Sequence, residues 1–189
     1  METLINSCQR KLTNEENANL NQPFTMKELI RARNQMSNGK SPGLDGLTVE
    51  FYKQTWPFIA QDLLDVLNYI FLSGNLPLSM SQALVILLYK NKGDKKDLKN
   101  WRPISLLCVD YKFLTSMVAR RLENILPKII NSDQGCAIKG RHIEDQLICI
   151  QDICDYTKQF KTKAMIMALD LEAAFDRTDH RYMKKLLNT

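Results

Sequence analysis

The feature that most constrains the fold of this chain is an apolar run, residues 164–169, that ends directly in the acid Asp170. Short apolar runs of this kind are typical of buried β-strands. An acid at the end of such a strand lies where a sheet opens into a cleft, and it is a natural ligand for one of the two Mg²⁺ ions used in phosphoryl transfer. Nineteen residues follow Asp170 (189 minus 170), and none is a second acid at the end of another strand. The run therefore predicts half of a two-metal site.

Positive charge is concentrated in one part of the chain. Residues 81–141 contain twelve lysine and arginine residues and five acids, a net charge of +7, whereas the whole chain carries +5. Such an excess is most often a solvated surface, but it is also what a phosphate-rich ligand requires. The charge alone leaves nucleic acid as one candidate partner among several.

The cysteines and the hydropathy of the chain bear on its environment. The five cysteines, an odd number with no Cys-x-x-Cys pair, are expected to be free thiols of a reducing compartment. The chain contains no run of eighteen apolar residues, so a membrane span is not expected. The first ten residues lack the pattern of a secretory signal. Only two histidines are present, so a structural zinc site is not expected. These features predict a reducing compartment and no membrane span.

The periodicity of the apolar residues predicts both helices and strands. A polar, asparagine-rich lead-in is expected at residues 1–22, and a glycine-rich loop at 38–46. The predicted helices cover about residues 25–36, 48–55, 58–71, 111–125 and 143–156, and the predicted buried strands cover 83–89, 101–107 and 164–169. Thr25 and Glu28 have the spacing of a capping box, and Trp56-Pro57 is expected to separate the second helix from the third. This order of elements favours the α+β class.

Three groups of residues could carry chemistry. Asp170 is followed by Phe175 and Asp176, while Lys90 and Arg102 bracket a strand–turn–strand unit. The third group is the glycine-rich stretch at 41–46. A carboxylate opposite two cations suits Mg²⁺ and a nucleoside triphosphate, because the metal and the cations share the phosphate charge. Each group also has an ordinary explanation: a capping acid, a core aromatic, solvated cations, or a turn that lacks the ending of a P-loop.

The order of the motifs along the chain resembles one protein family. The motifs are Pro42-Gly-Leu-Asp-Gly46, residues 83–93, Asn100-Trp-Arg-Pro-Ile-Ser-Leu-Leu107, Asp133-Gln134, Gly140-Arg141, and Leu169-Asp170 to Ala174-Phe175-Asp176. From about residue 24 to the end, this order strongly resembles the reverse transcriptases of non-LTR (LINE-type) retrotransposons. The Trp-Arg-Pro-Ile-Ser-Leu-Leu and Ala-Phe-Asp-Arg motifs, with the spacing between them, are specific to that family.

The resemblance implies the fold of a right-hand polymerase. This chain would contain the fingers, about residues 23–160, and the start of the palm, about 161–189, with a partial palm sheet and no thumb. The palm hairpin with paired aspartates that completes metal binding is missing from the sequence, as are an endonuclease domain and a zinc knuckle. We therefore expect a partial reverse transcriptase domain that has no polymerase activity as an isolated chain.

The resemblance also implies roles for residues of the palm. Asp170 is similar to the first metal-binding, catalytic aspartate, and the backbone carbonyl of Leu171 would be its companion ligand. The metal would be Mg²⁺ or Mn²⁺, bound only in the complete enzyme. Phe175 matches the aromatic residue that lies under the incoming sugar and excludes a 2′-hydroxyl. Asp176 would support the site without binding metal.

In the fingers, Arg102 is similar to the arginine that binds the incoming triphosphate, and Lys90 would be its partner. Gln134 and Arg141 are implied as supporting residues. The resemblance implies an RNA template, a DNA primer and deoxynucleoside triphosphates as substrates. It also implies action in the nucleus, the cytoplasm or both, away from membranes.

Two alternatives stay open at this point. The chain could be a non-catalytic nucleic-acid-binding or interaction protein of the same ancestry, holding RNA through the +7 segment with a strong salt dependence. It could also be a non-functional relic that folds poorly, because a strand without its partners exposes edges that are prone to aggregation.

Overall fold

The computed structural model describes residues 11–170 and 177–187. Eight helices and one two-stranded sheet occur in this part of the chain, which has the predicted α+β class. The elements are α1 Asn14–Leu20, α2 Met26–Gln35, α3 Val49–Ser73, α4 Leu78–Ser81, β1 Ala83–Tyr89, β2 Trp101–Leu107, α5 Val109–Glu123, α6 Leu126–Ile129, α7 Ile143–Gln159 and α8 His180–Leu187. Asn14–Asn124 forms one compact unit, and the described residues from Ile125 onward belong to a second.

The core of the first unit lies where α2, α3 and α5 pack against one another. Phe113 of α5 is fully buried, and its ring centroid lies 5.5 Å from that of Tyr52 and 6.0 Å from that of Trp56, both on α3. Each large apolar side chain buried in this way contributes roughly 1.5–3 kcal/mol. This aromatic cluster is the centre of the unit that carries the sheet.

Helix α2 begins where the sequence predicts. The backbone N–H of Glu28 donates to the Thr25 hydroxyl, and the Glu28 carboxylate accepts from the Thr25 backbone N–H at 2.8 Å. The capping box is therefore confirmed. It satisfies two of the N–H groups that the first turn of a helix leaves without a partner.

Arg121 of α5 fixes the segment that leads into α2. Its guanidinium binds the carboxylate of Glu28 at 2.7 Å and lies 4.3 Å from the ring centroid of Phe24. It also donates to the backbone carbonyl oxygens of Leu20, Gln22 and Pro23. Helix α1 thus lies within the segment expected to be a loose lead-in, and a residue about one hundred positions away in sequence holds its C-terminal end.

Helix α3 runs without interruption from Val49 to Ser73, so the expected break at Trp56-Pro57 is wrong. A proline inside a helix removes one backbone hydrogen bond and costs about 3 kcal/mol. Trp56 before the proline and Leu64 and Leu67 after it are all buried in the same core. Their combined burial outweighs that cost, and the helix continues.

Strands β1 and β2 form an antiparallel ribbon (residues 83–107) in which Ala83 lies opposite Leu107 and Tyr89 opposite Trp101. Both strands lie where the sequence predicts, but the expected burial of β1 is wrong, because residues 84–88 are each 42–55% exposed. The two strands contact each other far more than they contact any helix. A run of β-branched and leucine residues can therefore pair as a strand here without a layer packed over it.

In the second unit, one predicted helix forms and one predicted strand does not. Helix α7 forms as predicted, but none of its residues is buried, including Leu147, Ile150 and Ile153 of the expected inward face. Residues 162–170 are exposed and have no regular secondary structure, so the strand predicted at 164–169 is wrong. A strand needs a neighbour that pairs with its backbone groups, and the two strands of the described chain pair with each other.

Candidate active site

The ribbon brings Lys90 and Arg102 to one of its faces. In an antiparallel pair, opposite residues project from the same face, and every second residue along a strand shares that face. Arg102 lies opposite Leu88, and the backbone N–H of Lys90 continues the pairing by donating to the carbonyl of Asn100 at 2.8 Å. Lys90 and Arg102 are therefore diagonal neighbours on one face, and both are exposed. The strand register thus brings together the two cations predicted to bind a triphosphate.

The side chain of Lys90 is oriented by the turn that follows it. Its Nζ donates to the backbone carbonyl of Lys99 at 2.6 Å. An ammonium group has three donors, so this bond uses one of them. The guanidinium of Arg102 offers five donors in a planar fork that matches phosphate oxygens. The pair combines a fixed point charge with a group that can bind two oxygens at once.

The turn between the strands, residues 90–100, is closed by side chains that bind its backbone carbonyl groups. The bonds run from Tyr89 Oη to Gly93 O (2.6 Å), from Trp101 Nε1 to Lys95 O (2.9 Å) and from Asn100 Nδ2 to Asp94 O (2.8 Å). Gly93 has a φ of 81°, and a Cβ there would lie 2.6 Å from the Asn100 amide. These bonds restrain the turn before any ligand binds, which lowers the entropy lost on binding.

The glycine-rich loop packs against the base of the ribbon. A Cβ on Gly43 would lie 2.4 Å from the backbone nitrogen of Cys108 and 2.7 Å from its Cα. Cys108 follows β2 directly and precedes the first residue of α5. The sequence predicts a close backbone approach for this loop, and its partner is the backbone of Cys108 in the same chain. It fixes the point from which the ribbon extends.

The other end of the loop is tied to the start of α3. The backbone N–H of Gly39 donates to the Glu50 carboxylate at 2.5 Å, and this bond is the main reason that the pKa of Glu50 lies below its ordinary value. Lys53 Nζ donates to the Met36 carbonyl at 2.8 Å and to Asn38 Oδ1 at 2.6 Å. The loop is anchored at both ends, and Gly43 serves the chain's own packing.

A side-chain cluster not predicted from the sequence lies beside this loop. One ligand-type atom from each of Asp45, Cys108 and Asp110 lies within 4.8 Å of the others. Each of these side chains makes a hydrogen bond to the backbone: Asp45 accepts from the N–H of Leu47 (3.1 Å), Asp110 accepts from the N–H of Tyr111 (2.7 Å), and the Cys108 thiol donates to the Ser79 carbonyl (3.7 Å). The cluster also lies at the N-terminus of α5, where the helix dipole favours anions over cations. It therefore fits backbone capping better than a metal ion.

Burial, and then the neighbouring carboxylate of Asp45, raises the pKa of Asp110. When the pKa of an acid is higher in the folded than in the unfolded chain, stability falls as the pH rises from the unfolded pKa through the folded pKa. The reason is that the folded chain resists ionisation of the acid. We expect Asp110→Asn, which keeps the oxygen that accepts from Tyr111, to raise the melting temperature at neutral pH. Thermal unfolding over a pH series should show this gain disappearing in acid. An equal gain at every pH would contradict the explanation.

Asp170 is exposed in the irregular segment 162–170, and the strand expected to present it is absent there. Leu171, Phe175 and Asp176 lie outside the described residues. Asp170 belongs to the second unit, whereas Lys90 and Arg102 belong to the first. The roles predicted for the palm residues therefore stay predictions.

Arg141 and Gln134 come together in the second unit. The Arg141 guanidinium donates to the backbone carbonyl of Gln134 at 2.8 Å. It also donates to the backbone carbonyls of Pro127 (3.1 Å), Ile130 (3.0 Å) and Asn131. Because four carbonyl groups converge on one guanidinium, Arg141 fixes the turn that contains Gln134.

Comparison with known protein families identifies the class of this chain. Residues 91–188, which are 98 of its 189 residues, match the profile of the family described as Reverse transcriptase (RNA-dependent DNA polymerase). The chain belongs to the reverse transcriptase family. Most of the turn, Arg102 and Asp170 fall inside the matched residues. Members of this family generally use divalent metal ions and act on nucleic acids.

Two relatives are transposon proteins. The chain is 42% identical, over 164 residues and 87% of its length, to the Transposon TX1 uncharacterized 149 kDa protein of Xenopus laevis. It is 28% identical, over 143 residues and 74% of its length, to the Retrovirus-related Pol polyprotein from type-1 retrotransposable element R2 of Popillia japonica. The chain spans 12% and 19% of the length of these two relatives. The matches confirm the resemblance to non-LTR retrotransposon reverse transcriptases.

Proposed function

We propose that this chain provides the fingers, about residues 23–160, and the start of the palm, about 161–189, of an RNA-directed DNA polymerase that copies retrotransposon RNA into DNA. The observation that supports this most directly is the strand register that puts Lys90 and Arg102 on one face of the ribbon. Two cations at a fixed spacing suit the closely spaced oxygens of a triphosphate.

In the proposed fingers, Arg102 binds the triphosphate of an incoming deoxynucleotide through its planar fork. Lys90, oriented by its bond to the Lys99 carbonyl, adds a second positive charge. The resemblance to the family gives Gln134 and Arg141 a supporting role. These residues bind and orient the nucleotide and take no part in bond making.

In the proposed palm, Asp170 and the backbone carbonyl of Leu171 supply oxygen donors, which Mg²⁺ and Mn²⁺ prefer in proteins. The exposed carboxylate of Asp170 is open to such an ion. When bound, the metal stabilises negative charge on the attacking and leaving oxygens of nucleotidyl transfer. Phe175 packs under the sugar and rejects a 2′-hydroxyl, and Asp176 supports the site.

The partners we propose are an RNA template, a DNA primer and deoxynucleoside triphosphates. The proposed location is intracellular, in the nucleus, the cytoplasm or both. Among the residues that the structure describes, no helix combines the length and the apolar content needed to cross a bilayer.

Arg102→Ala is expected to weaken binding of a deoxynucleoside triphosphate with Mg²⁺ by about tenfold to a hundredfold, because a hydrogen bond to a charged partner contributes about 1.5–3 kcal/mol. Titration calorimetry of the purified chain measures this. Arg31→Ala, which removes the same charge from an exposed position on α2, is the matched control and should change little. Equal losses in both variants would mean that net charge alone attracts the nucleotide, and the proposed role of Arg102 would then fail.

A non-catalytic nucleic-acid-binding protein is the second candidate, and the lysine-rich turn of the ribbon favours it. RNA binding that falls steeply with salt, and that weakens when Lys90, Lys92 and Arg102 are neutralised, is expected of both candidates. Triphosphate binding that depends on Arg102 is expected of the polymerase alone. RNA binding without triphosphate binding that depends on Arg102 would favour the second candidate.

A further inference from the structure

The glycine-rich loop begins with Asn38-Gly39, the one asparagine–glycine pair in the sequence, and the proposed triphosphate site gives it no role. Both residues are exposed, and Gly39 has a φ of 71°. The side-chain amide of an asparagine is open to attack by the backbone nitrogen of the next residue, and a glycine there puts no side chain in the way. The pair is therefore a place where the chain can react with itself.

Two charged side chains of α3 bind the two groups that would react. The Glu50 carboxylate accepts the backbone N–H of Gly39 at 2.5 Å, and Lys53 Nζ donates to Oδ1 of Asn38 at 2.6 Å. Lys53 also donates to the backbone carbonyl of Met36 at 2.8 Å, which holds its ammonium group in place. The proton of the attacking nitrogen thus faces a base, and the oxygen of the attacked amide faces a cation. These are the positions of a general base and of an oxyanion donor.

Glu50 is in the ionised form that a base requires. Its pKa lies below the ordinary value, mainly because it accepts the Gly39 N–H. Its own backbone N–H, the Thr48 hydroxyl and the charge of Lys53 lower the pKa further. The carboxylate is therefore charged at neutral pH and can take up a proton.

We propose that Asn38 is a self-modification site, at which the chain converts its own asparagine into aspartate or isoaspartate. The Gly39 nitrogen forms a bond to Cγ of Asn38 while its proton passes to Glu50, and Lys53 stabilises the negative charge that develops on Oδ1. The Cγ–Nδ2 bond then breaks, Nδ2 recovers the proton and leaves as ammonia, and a cyclic succinimide remains. Water opens this ring at either of its carbonyl groups. The chain loses one ammonia and gains one water, and no oxidant or reductant takes part.

The product alters the anchor of the loop. A carboxylate at position 38 adds a negative charge next to Lys53, and isoaspartate also adds one carbon to the path of the backbone. The same loop places Gly43 against Cys108, at the point from which the ribbon extends. The modification therefore changes the loop that fixes the ribbon. It goes beyond the proposed function and does not depend on it.

Mass spectrometry of peptides from the purified chain, taken during incubation at neutral pH, measures the conversion of Asn38. A synthetic peptide of residues 34–44 gives the rate without the fold, and the exposed Asn131, which precedes a serine, is an internal reference. We expect Asn38 to convert about tenfold faster in the folded chain than in the peptide. This is less than the roughly hundredfold that a general base contributes in an enclosed active site, because the loop is open to water.

Glu50→Gln and Lys53→Met should each lower the rate in the folded chain about tenfold, whereas Lys53→Arg keeps the positive charge and should keep most of the rate. Lys40→Met and Asp62→Ser are the matched controls and should change nothing, because each removes an exposed charge, one from the same loop and one from α3. Circular dichroism checks that the variants fold.

The pH profile separates a base from a side chain that merely holds the loop. Because Glu50 is ionised throughout, the rate in the folded chain should stay nearly constant from about pH 6 to 8. The rate in the peptide, which relies on hydroxide, should rise over the same range.

Three results would overturn the proposal. They are conversion no faster in the folded chain than in the peptide, conversion unchanged in both Glu50→Gln and Lys53→Met, and conversion accelerated in both, since the two bonds would then protect the asparagine. Triphosphate binding by the unmodified chain does not depend on any of these results, so failure of this proposal leaves the proposed function standing.

Discussion

Arg121→Ala is expected to destabilise the Asn14–Asn124 unit by about 3 kcal/mol, because hydrogen bonds to a charged group contribute about 1.5–3 kcal/mol and this partly buried guanidinium makes several. The Arg121 side chain is 13% exposed, and that of its partner Glu28 is 25% exposed. The substitution also removes the donor to the backbone carbonyls ahead of α2. It further removes the cation that lies 4.3 Å from the ring centroid of Phe24 and 5.6 Å from that of Phe71.

Urea unfolding followed by circular dichroism measures this loss. Arg121→Lys keeps the charge and loses the planar fork, so we expect it to recover only part of the stability. Arg120→Ala is the matched control, because the neighbouring Arg120 makes one exposed bond, from its Nε to Gln35 at 2.6 Å, and should cost less than about 1 kcal/mol. Equal unfolding midpoints for Arg121→Ala and Arg120→Ala would contradict the role given to Arg121.

The effect of Arg121 should depend on pH with a defined sign. Partial burial alone would raise the pKa of Glu28, but hydrogen bonds from Arg121 and Thr25 outweigh it and hold the pKa below its ordinary value. Stability from such an acid is present above the unfolded pKa, about 4.3, and is lost as the pH falls through the folded pKa. The stability difference between the wild-type chain and Arg121→Ala should therefore shrink in acid. A difference that grows in acid would contradict the ion pair.

Gly43→Ala is expected to have the second-largest effect, about 1–3 kcal/mol, because it overpacks a site bounded by backbone. The new Cβ would lie 2.4 Å from the Cys108 nitrogen and 2.7 Å from its Cα, atoms that cannot rotate away as a flexible side chain can. The strain should also reach the ribbon, which leaves the helices at this point. Triphosphate binding should weaken although Gly43 lies outside the proposed site.

Gly46→Ala is the matched control for this prediction. A Cβ on Gly46 would meet no atom within 4 Å, but its φ is 71°, so the expected cost is only the left-handed strain of about 1 kcal/mol. Urea unfolding and nucleotide calorimetry compare the two variants. If Gly43→Ala were as stable as Gly46→Ala and bound the triphosphate equally well, the contact with Cys108 would not fix the ribbon.

The features that the sequence predicted correctly are local ones. The capping box of Thr25 and Glu28 involves residues three apart, and the ribbon joins two neighbouring strands through a short turn. One strand register then puts Lys90 and Arg102 on the same face, while their role in nucleotide binding stays a prediction. For these features the deciding contacts lie within a few residues, or within a single hairpin, along the chain.

The contacts that the sequence did not predict, and the predictions that failed, depended on the tertiary packing of the chain. Arg121 and Glu28 are 93 positions apart, and no local pattern indicates that they meet. Pro57 predicts a break in the helix unless the burial of the residues on both sides is known. Residues 164–169 have the composition of a strand, but strand formation also requires a neighbour that composition does not show.

The ribbon's sparse contacts with the helices have a consequence for hydrogen exchange. Its backbone bonds can open without disturbing the packing of Phe113 and Met117, so the amides of residues 83–89 and 101–107 should exchange through local opening. The amides of α5 should exchange only when the whole first unit unfolds. A triphosphate bound beside Lys90 and Arg102 would therefore slow exchange in the strands and, because the unfolded chain does not bind it, in α5 as well. The slower exchange of the strands gives the proposed site a residue-level signature that needs no catalysis.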